Sequence, residues 1–189
     1  MSAPEAARGA APQPGVRLTS GATDLVELAA FRGRDADIAR IAAARGVPLP
    51  QLGRSARCGE HLALCVRPAR WLILAAPGIA GAQASLWQPL CAGVGAVIDL
   101  AGAVSAVRLA GPAVREMLSR ACRLDLRPHA FPPGSAAATI MVQVPVTLAA
   151  HDETEMLLLT PATTARHLRE WLVEASRPFG VEYRGDGSK

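Results

Sequence analysis

Residues 97–134 read VIDLAGAVSAVRLAGPAVREMLSRACRLDLRPHAFPPG, and this stretch decides the fold. It opens with two apolar runs, residues 97–100 and 104–109, which are separated only by the segment Ala-Gly-Ala. So short a connection between two strand-like runs is typical of a tight reversal. The pattern therefore predicts that the two runs pair with each other as a β-hairpin.

The second half of the stretch predicts a helix and then a shaped loop. Gly111 and Pro112 end the strand, and proline suits the first turn of a helix because its φ is fixed near the helical value. Apolar residues then recur at helical spacing to about Cys122, which is typical of a helix lying on a sheet. The sequence RPHAFPPG at 127–134 predicts a rigid loop bounded by prolines.

Strand-like and helix-like segments alternate along the rest of the chain. The prediction is a strand at 22–31, a helix at 35–44, strands at 62–66 and 70–75, a helix at 79–92, a β-rich segment at 136–150 bent at Pro145, a strand at 155–159 and a last helix from Pro161.

A faint internal repeat organises these elements. RWLILAAPGIAGAQASLWQPL (70–90) and EMLLLTPATTARHLREWLVEA (155–175) each hold an apolar strand, a proline and a helix that carries tryptophan. Two copies of one strand and helix unit predict a single pseudo-duplicated α+β domain, with mostly antiparallel sheets and helices packed on them. We expect this domain to span residues 22–183, between a flexible tail at 1–21 and a short tail at 184–189.

Composition and charge exclude several function classes. The formal net charge of +4 comes from scattered arginines and only 4% of residues are aromatic, so no nucleic-acid partner is expected. The longest uncharged stretch, residues 71–98, is broken by prolines and glycines, so no membrane crossing is predicted. The first residues lack the apolar core of a secretion signal, and the four cysteines form no CxxC pair. We therefore expect reduced thiols and a cytoplasmic location.

The run RLAGPAVREMLSRACRLDLRPHAFPPG (108–134) resembles the central signature of the gamma subunit of heterotetrameric sarcosine oxidase. In that family an apolar strand, Gly-Pro, an amphipathic helix, Cys-x-Leu-Asp-Leu and a Phe-Pro-x-Gly loop follow one another. FRGRDADIARIAAARGVPLP (31–50) and HLREWLVEASRPFG (167–180) are similar to the opening and closing segments of the family. The signature is more distantly similar to the folate-binding domain of aminomethyltransferases such as the glycine cleavage T-protein, which implies that fold here.

The resemblance also implies a function. It implies a non-catalytic gamma subunit of a complex that oxidatively demethylates sarcosine in a folate-linked reaction, with alpha, beta and delta subunits as partners. FAD, FMN, NAD and tetrahydrofolate are then expected in the partner subunits, and this chain binds none of them. Two alternatives stay open: a stand-alone folate-binding or aminomethyltransferase-like protein, and the equivalent subunit of a related N-methyl-amino-acid dehydrogenase.

Few residues stand out as carriers of chemistry. No catalytic residue and no metal set is predicted, because the histidines are dispersed and the cysteines are unpaired in sequence. A dinucleotide fingerprint is missing too, since Gly93-Val94-Gly95 precedes a strand and lacks a third glycine. Asp99, near the end of a strand, has two interpretations. It either bonds the backbone of the turn or, under the stand-alone alternative, binds folate at a pocket that it shares with the loop at 131–134.

The loop residues Phe131, Pro132 and Pro133 are the predicted partner interface. A loop stiffened by prolines can present an aromatic anchor to a partner at low entropic cost. The alternative is that Phe131 folds back onto the core of its own chain.

Overall fold

Two sheets stand face to face in the computed structural model, which describes residues 14–21, 23–76 and 79–185. In chain order the elements are β1 (Val16–Gly21), β2 (Asp24–Ala30), α1 (Asp35–Ala44), β3 (Arg54–Cys58), β4 (His61–Arg67), β5 (Arg70–Ala75), α2 (Ala82–Leu90), β6 (Gly95–Asp99), β7 (Val104–Ala110), α3 (Val114–Ser119), β8 (Ala136–Met141), β9 (Val144–Ala150), β10 (Glu155–Pro161), α4 (Ala162–Ser176) and β11 (Val181–Arg184). The N-terminal sheet has the strand order β3-β4-β5-β2-β6, and the C-terminal sheet has the order β11-β1-β7-β10-β9-β8. Neighbouring strands are antiparallel, apart from the parallel pair of β1 and β11.

The internal repeat is visible in the topology. Each half runs as strand, helix, three strands, helix and strand, from β2 to β6 and again from β7 to β11. In both halves the fourth strand lies between the third and the first, as β5 lies between β4 and β2 and β10 lies between β9 and β7. The prediction of a pseudo-duplicated, mostly antiparallel α+β domain is confirmed.

Apolar residues form three layers across the molecule. The middle layer joins the inner faces of the two sheets and includes Leu64, Leu74 and Leu157. Helices α1 and α2 cover the outer face of the N-terminal sheet, and α3 and α4 cover the outer face of the C-terminal sheet. The alternation of side chains along each strand lets one strand contribute to two layers, since neighbouring residues face opposite sides.

The hairpin predicted from residues 97–109 is wrong. The strand β6 pairs with β2 in the N-terminal sheet, whereas β7 lies between β1 and β10 in the C-terminal sheet. The short turn between them, with Gly102 at a φ of +77°, carries the chain from one sheet to the other. The physical reason is that β2 is buried along almost its whole length, so its second edge needs a strand, and β6 supplies it.

The predicted tail at residues 1–21 also needs correction. Its last residues form β1, in which Val16 and Leu18 are fully buried, and this strand pairs with both β7 and β11. Two alternating apolar residues are too few to identify a strand from sequence. The segment becomes a strand because it pairs with its neighbours in the folded chain. The tail segments 1–13 and 186–189 lie outside the described residues. At the other end β11 runs to Arg184, one residue into the predicted C-terminal tail.

Residues 136–150 are a hairpin and not one strand bent at Pro145. Strands β8 and β9 pair along their length, and Val142 and Gln143 form the turn with positive φ values of 50° and 64°. Positive φ at both central residues matches the twist of a two-residue hairpin, although neither residue type signals such a turn. Pro145 lies opposite Ile140, in the second residue pair from the turn.

The loop at 127–134 is fastened by one arginine on α3. The Arg115 guanidinium donates to the backbone oxygens of Leu126 at 2.6 Å, Phe131 at 3.0 Å and Glu153 at 2.7 Å. The loop is thereby tied to the turn between β9 and β10. Phe131 itself is only 7% exposed and belongs to the apolar layer beneath α3 and α4.

The turn between β9 and β10 is held by a carboxylate. Asp152 Oδ1 accepts hydrogen bonds from the backbone N–H groups of Thr154 at 2.6 Å and Glu155 at 2.7 Å, and from the Thr154 hydroxyl at 3.0 Å. These donors stabilise the charged form, and the Thr154 N–H is the main reason that the pKa of Asp152 lies below its ordinary value.

Truncating Phe131 should destabilise the folded chain. We expect Phe131→Ala to lower the free energy of unfolding by about 3 kcal/mol, because it removes a buried aromatic ring and leaves a cavity. The matched control is Phe31→Ala, since Phe31 is 51% exposed, and its effect should stay within about 0.5 kcal/mol. Urea unfolding of both variants measures the difference. Equal effects would show that the Phe131 ring contributes nothing to the core.

Replacing Asp152 by asparagine should remove a pH-dependent part of stability. The folded-state pKa is lowered, so the charge stabilises the fold above the unfolded-state pKa of about 3.9, and this contribution is lost as pH falls through the folded-state pKa. Because the site is exposed, we expect Asp152→Asn to cost only about 0.5 kcal/mol at pH 7. The difference from wild type should shrink toward zero in acid, as measured by urea unfolding between pH 7 and pH 3. A difference that stays constant with pH would contradict this account.

Candidate functional site

The described residues offer little reactive chemistry. Within 14–21, 23–76 and 79–185, no three His, Cys, Asp or Glu side chains are grouped so as to hold a metal ion. Burial raises the pKa of the thiols of Cys58, Cys65 and Cys91 above the ordinary value, which keeps these thiols protonated and weakly nucleophilic. A functional site in this part of the chain would therefore be a binding site, formed by buried polar groups or by a concave surface.

Asp24, one of the buried acids, serves the fold. Its two carboxylate oxygens accept hydrogen bonds from the backbone N–H groups of Gly81 at 3.2 Å and Gln83 at 2.8 Å. Those N–H groups lie in the first turn of α2, where a helix lacks its own acceptors. Asp24 thus caps a helix from the neighbouring strand, and negative charge there also suits the helix dipole.

Asp99, the predicted ligand residue, lies at the exposed end of β6. Its Oδ1 accepts the backbone N–H of Ala101 at 2.8 Å, so the carboxylate stabilises the turn that carries the chain between the sheets. A depression of about 390 Å³ adjoins this turn and is lined by Ala101, Ser105 and Arg169 among others. The loop at 127–134 is not part of its lining, so the structure does not bring Asp99 and Phe131 to one pocket. A ligand role for Asp99 stays a prediction.

The three loop residues of the predicted interface differ in exposure. Phe131 is buried in the core of its own chain, Pro132 is half-buried and Pro133 is exposed. Phe131 is therefore not an exposed anchor, and its placement corresponds to the alternative in which the ring folds back. The loop remains a surface feature through Pro132 and Pro133, and their role in an interface stays a prediction.

A larger concave surface, the inter-sheet cleft, opens between the inner faces of the two sheets at one end. It has a volume of about 430 Å³, and most of the residues that line it are apolar. The apolar lining residues include Leu25, Leu72 and Leu100 from the N-terminal half, and Val104, Leu159, Ala138, Pro145 and Pro161 from the C-terminal sheet. The cleft therefore exposes part of the same apolar surface that elsewhere holds the two sheets together.

Glu27 and Arg67 line the charged side of the inter-sheet cleft, and Arg70 pairs with Glu27 beside them. Glu27, on β2, has a side chain that is only 5% exposed, and its oxygens pair with the guanidinium groups of Arg67 and Arg70. Both arginines keep about half of their own surface in solvent, at 56% and 44%. One negative charge faces two positive charges, so this side of the cleft carries a net positive charge.

A bulge in β4 makes this charge cluster possible. Leu64 lies opposite Leu72, while Arg67 lies opposite Arg70, so three steps along β4 match two steps along β5. Residues three apart on a regular strand face opposite sides of the sheet, but the extra residue returns Arg67 to the inner face that Leu64 occupies. Without the bulge, Arg67 would point away from Glu27.

Sequence reasoning missed Glu27, Arg67, Arg70 and Arg115. One signal was available for the first of these: Glu27 is an acidic residue inside DLVELAA, a strand whose other central residues are apolar. A buried acid requires a partner of opposite charge. The identity of the partners was out of reach, since they lie 40 and 43 residues further along the chain.

The part of the chain that the structure describes contains four α-helices, of which the longest has 15 residues. None of them combines the length and the apolar character that crossing a bilayer would take.

Comparison with known proteins gives consistent matches along the chain. The sequence pattern described as "Sarcosine oxidase, gamma subunit family" matches residues 32–178. The sarcosine oxidase subunit gamma of an Arthrobacter species is 35% identical over 143 residues, which cover 75% of this chain and 70% of that protein. The subunit gamma of Corynebacterium sp. (strain P-1) is 34% identical over 146 residues, which cover 76% of this chain and 71% of that protein.

Solved structures agree with these sequence relatives. A chain of heterotetrameric sarcosine oxidase from Corynebacterium sp. U-96, solved in complex with pyrrole 2-carboxylate, has a TM-score of 0.77 and 29% identity, covering 89% of this chain and 87% of that chain. The glycine cleavage system aminomethyltransferase T from Bartonella henselae has a TM-score of 0.66 and 16% identity, covering 91% of this chain and 48% of that chain, and this likeness concerns the fold alone. The resemblance stated from the sequence is thus confirmed, and the chain belongs to the sarcosine oxidase gamma subunit family.

Proposed function

We propose that this chain is the non-catalytic gamma subunit of a heterotetrameric sarcosine oxidase-type complex, which oxidatively demethylates sarcosine in a folate-linked reaction. The observation that carries the proposal is the superposition on a chain of heterotetrameric sarcosine oxidase over 89% of this chain and 87% of the other. Agreement over nearly the whole of both chains supports an equivalent place in a complex, because an added or missing domain would change the surface that partners can reach.

The partners in this proposal are alpha, beta and delta subunits, and these subunits carry FAD, FMN, NAD and tetrahydrofolate. The way this chain uses its acidic side chains supports a role without a cofactor of its own. Asp24 caps α2, Glu27 is paired with two arginines and Asp99 holds a turn. These carboxylates are engaged by the fold, so each would have to exchange an internal partner for a ligand.

We place this complex in the cytoplasm. All four cysteines of the chain, Cys58, Cys65, Cys91 and Cys122, are unpaired. Free thiols are typical of a reducing compartment, whereas proteins of oxidising compartments form disulfides. The state of the cysteines supports the location expected from the sequence.

Assembly with flavin-bearing subunits tests the proposed function. When the chain is co-expressed with the alpha, beta and delta subunits encoded in the same cells, we expect it to co-elute with them and with the flavin absorbance in gel filtration. The chain expressed alone should elute separately and without colour. The proposal fails if the chain never joins the flavin-bearing subunits, or if the chain alone retains stoichiometric flavin through gel filtration.

Substitution of Asp99 distinguishes a structural from a folate-binding role. Asparagine keeps an oxygen acceptor for the Ala101 N–H, so Asp99→Asn should leave the melting temperature nearly unchanged, whereas Asp99→Ala should cost about 1 kcal/mol, or roughly 2–4 °C. Calorimetry of the isolated chain with tetrahydrofolate should show no binding in wild type or either variant. Micromolar binding that disappears in both variants would instead favour the stand-alone folate-binding alternative.

A further inference from the structure

We propose that the inter-sheet cleft is the docking site for a segment of a partner subunit that carries an apolar side chain next to a carboxylate. This inference rests on the proposed function for the identity of the partner. The apolar rim, the charge and the hydrogen bonding of the cleft support the docking site independently of that function. Each of these three observations favours a protein segment of this chemistry.

The rim of the inter-sheet cleft exposes large apolar side chains. Ile140, on β8, is 62% exposed, although it lies on the inner face of its sheet with Ala138 and opposite Pro145, both of which line the cleft. Ile98, on β6, is 40% exposed and lies opposite Glu27 on the inner face of the other sheet. Inner-face residues of a two-sheet fold are normally covered by the facing sheet. The strands β6 and β8 are edge strands of their sheets, and these two inner-face residues leave apolar surface uncovered beside the cleft.

Prolines extend this apolar rim across the C-terminal sheet. Pro145 on β9 and Pro161 on β10 both line the cleft, and Pro161 is opposite Val104 on β7. Proline and β-branched side chains lose little conformational freedom when they are covered, so such a rim can be buried at low entropic cost. The rim is therefore suited to receive an apolar side chain from another protein.

The charge of the cleft selects an acidic partner. Glu27 neutralises only one of the two guanidinium groups, and Arg67 and Arg70 both keep about half of their surface in solvent. Because both arginines are paired with Glu27, their guanidinium groups are held in place. Their remaining N–H donors can then bind a second carboxylate. The ion pairs already present thus prepare the arginines for an anionic group arriving from outside.

The hydrogen bonding inside the cleft argues for a protein segment over a small polar ligand. Both Glu27 oxygens are taken by arginines, and Thr160 Oγ1 already bonds the Pro145 carbonyl at 3.1 Å and Thr164 Oγ1 at 3.1 Å. A specific site for a small metabolite needs several polar groups that converge on it. Most of the side chains that line this cleft are apolar instead, and its charged groups are Glu27 and Arg67, a composition that suits a protein interface with an apolar centre.

The test uses two cleft variants with matched controls. Ile140→Asp places a negative charge beside Pro145, which lines the cleft, and its control is Leu52→Asp, since Leu52 is 57% exposed and lies in the loop before β3. Arg70→Gln removes one guanidinium while Arg67 still pairs with Glu27. Its control is Arg17→Gln, because Arg17 is also paired with a glutamate and is 46% exposed. Thermal melting confirms that all four variants fold.

Association of the purified full-length chain with the complex of alpha, beta and delta subunits is then measured by calorimetry. We expect each cleft variant to weaken binding about tenfold and each control to stay within about twofold. Arg70→Gln should also reduce the dependence of the dissociation constant on NaCl concentration, because fewer charges meet in the interface.

The possible outcomes distinguish a wrong docking site from a wrong proposed function. If wild type binds and all four variants bind equally well, the docking site is wrong while the proposed function stands. If wild type does not bind the other subunits, the proposed function fails and the docking site fails with it. If the isolated chain sediments as a dimer and the Ile140→Asp variant sediments as a monomer, the occupant of the cleft is a second copy of the chain and the inference is overturned.

Discussion

The contact between the inner faces of the two sheets is the constraint on which the rest of the structure depends. Leu25, Leu64 and Leu157 contribute to a middle apolar layer that neither half could cover alone, since each sheet has helices only on its outer face. Burial of apolar surface of this kind is the dominant favourable term in folding. It explains why two similar halves form one unit and why β6 and β7 must separate between the sheets. Where the two inner faces do not cover each other, the inter-sheet cleft opens at one end.

Glu27 adds a charged group at the edge of this apolar layer, and its position determines the character of the cleft. A carboxylate that is 5% exposed loses most of its hydration, and only charged or polar neighbours can compensate for that loss. The bulge in β4 supplies the compensation by turning Arg67 toward Glu27, beside Arg70. Both arginines keep about half of their surface in solvent, so the ion pairs add less to the stability of the fold than apolar packing at the same place would. Their main effect is to hold two cations in fixed positions at the mouth of the cleft.

The sequence was informative wherever local pattern and tertiary packing agreed. The two strand and helix units, the helix at Asp35–Ala44 and the strands on either side of Pro68 follow from periodicity and from proline and glycine positions. Strand pairing did not follow, because a three-residue turn looks the same whether it closes a hairpin or passes between sheets. The strand β1 was missed for a related reason, since its two buried residues indicate a strand only when β1 is seen to pair with the edge of β7.

The candidate site shows the same division between local and distant information. Asp99 and Phe131 were selected because their neighbours in sequence are distinctive, and the structure uses both for local purposes: one holds a turn and the other fills the core beneath α3 and α4. The residues that give the inter-sheet cleft its character were selected by no motif, because they meet only after the sheets form and β4 bulges. In a duplicated fold whose distinctive polar residues are engaged internally, surface chemistry is left where the two halves fail to cover each other. The open end of the sandwich is therefore where sequence changes can alter partners without altering the fold.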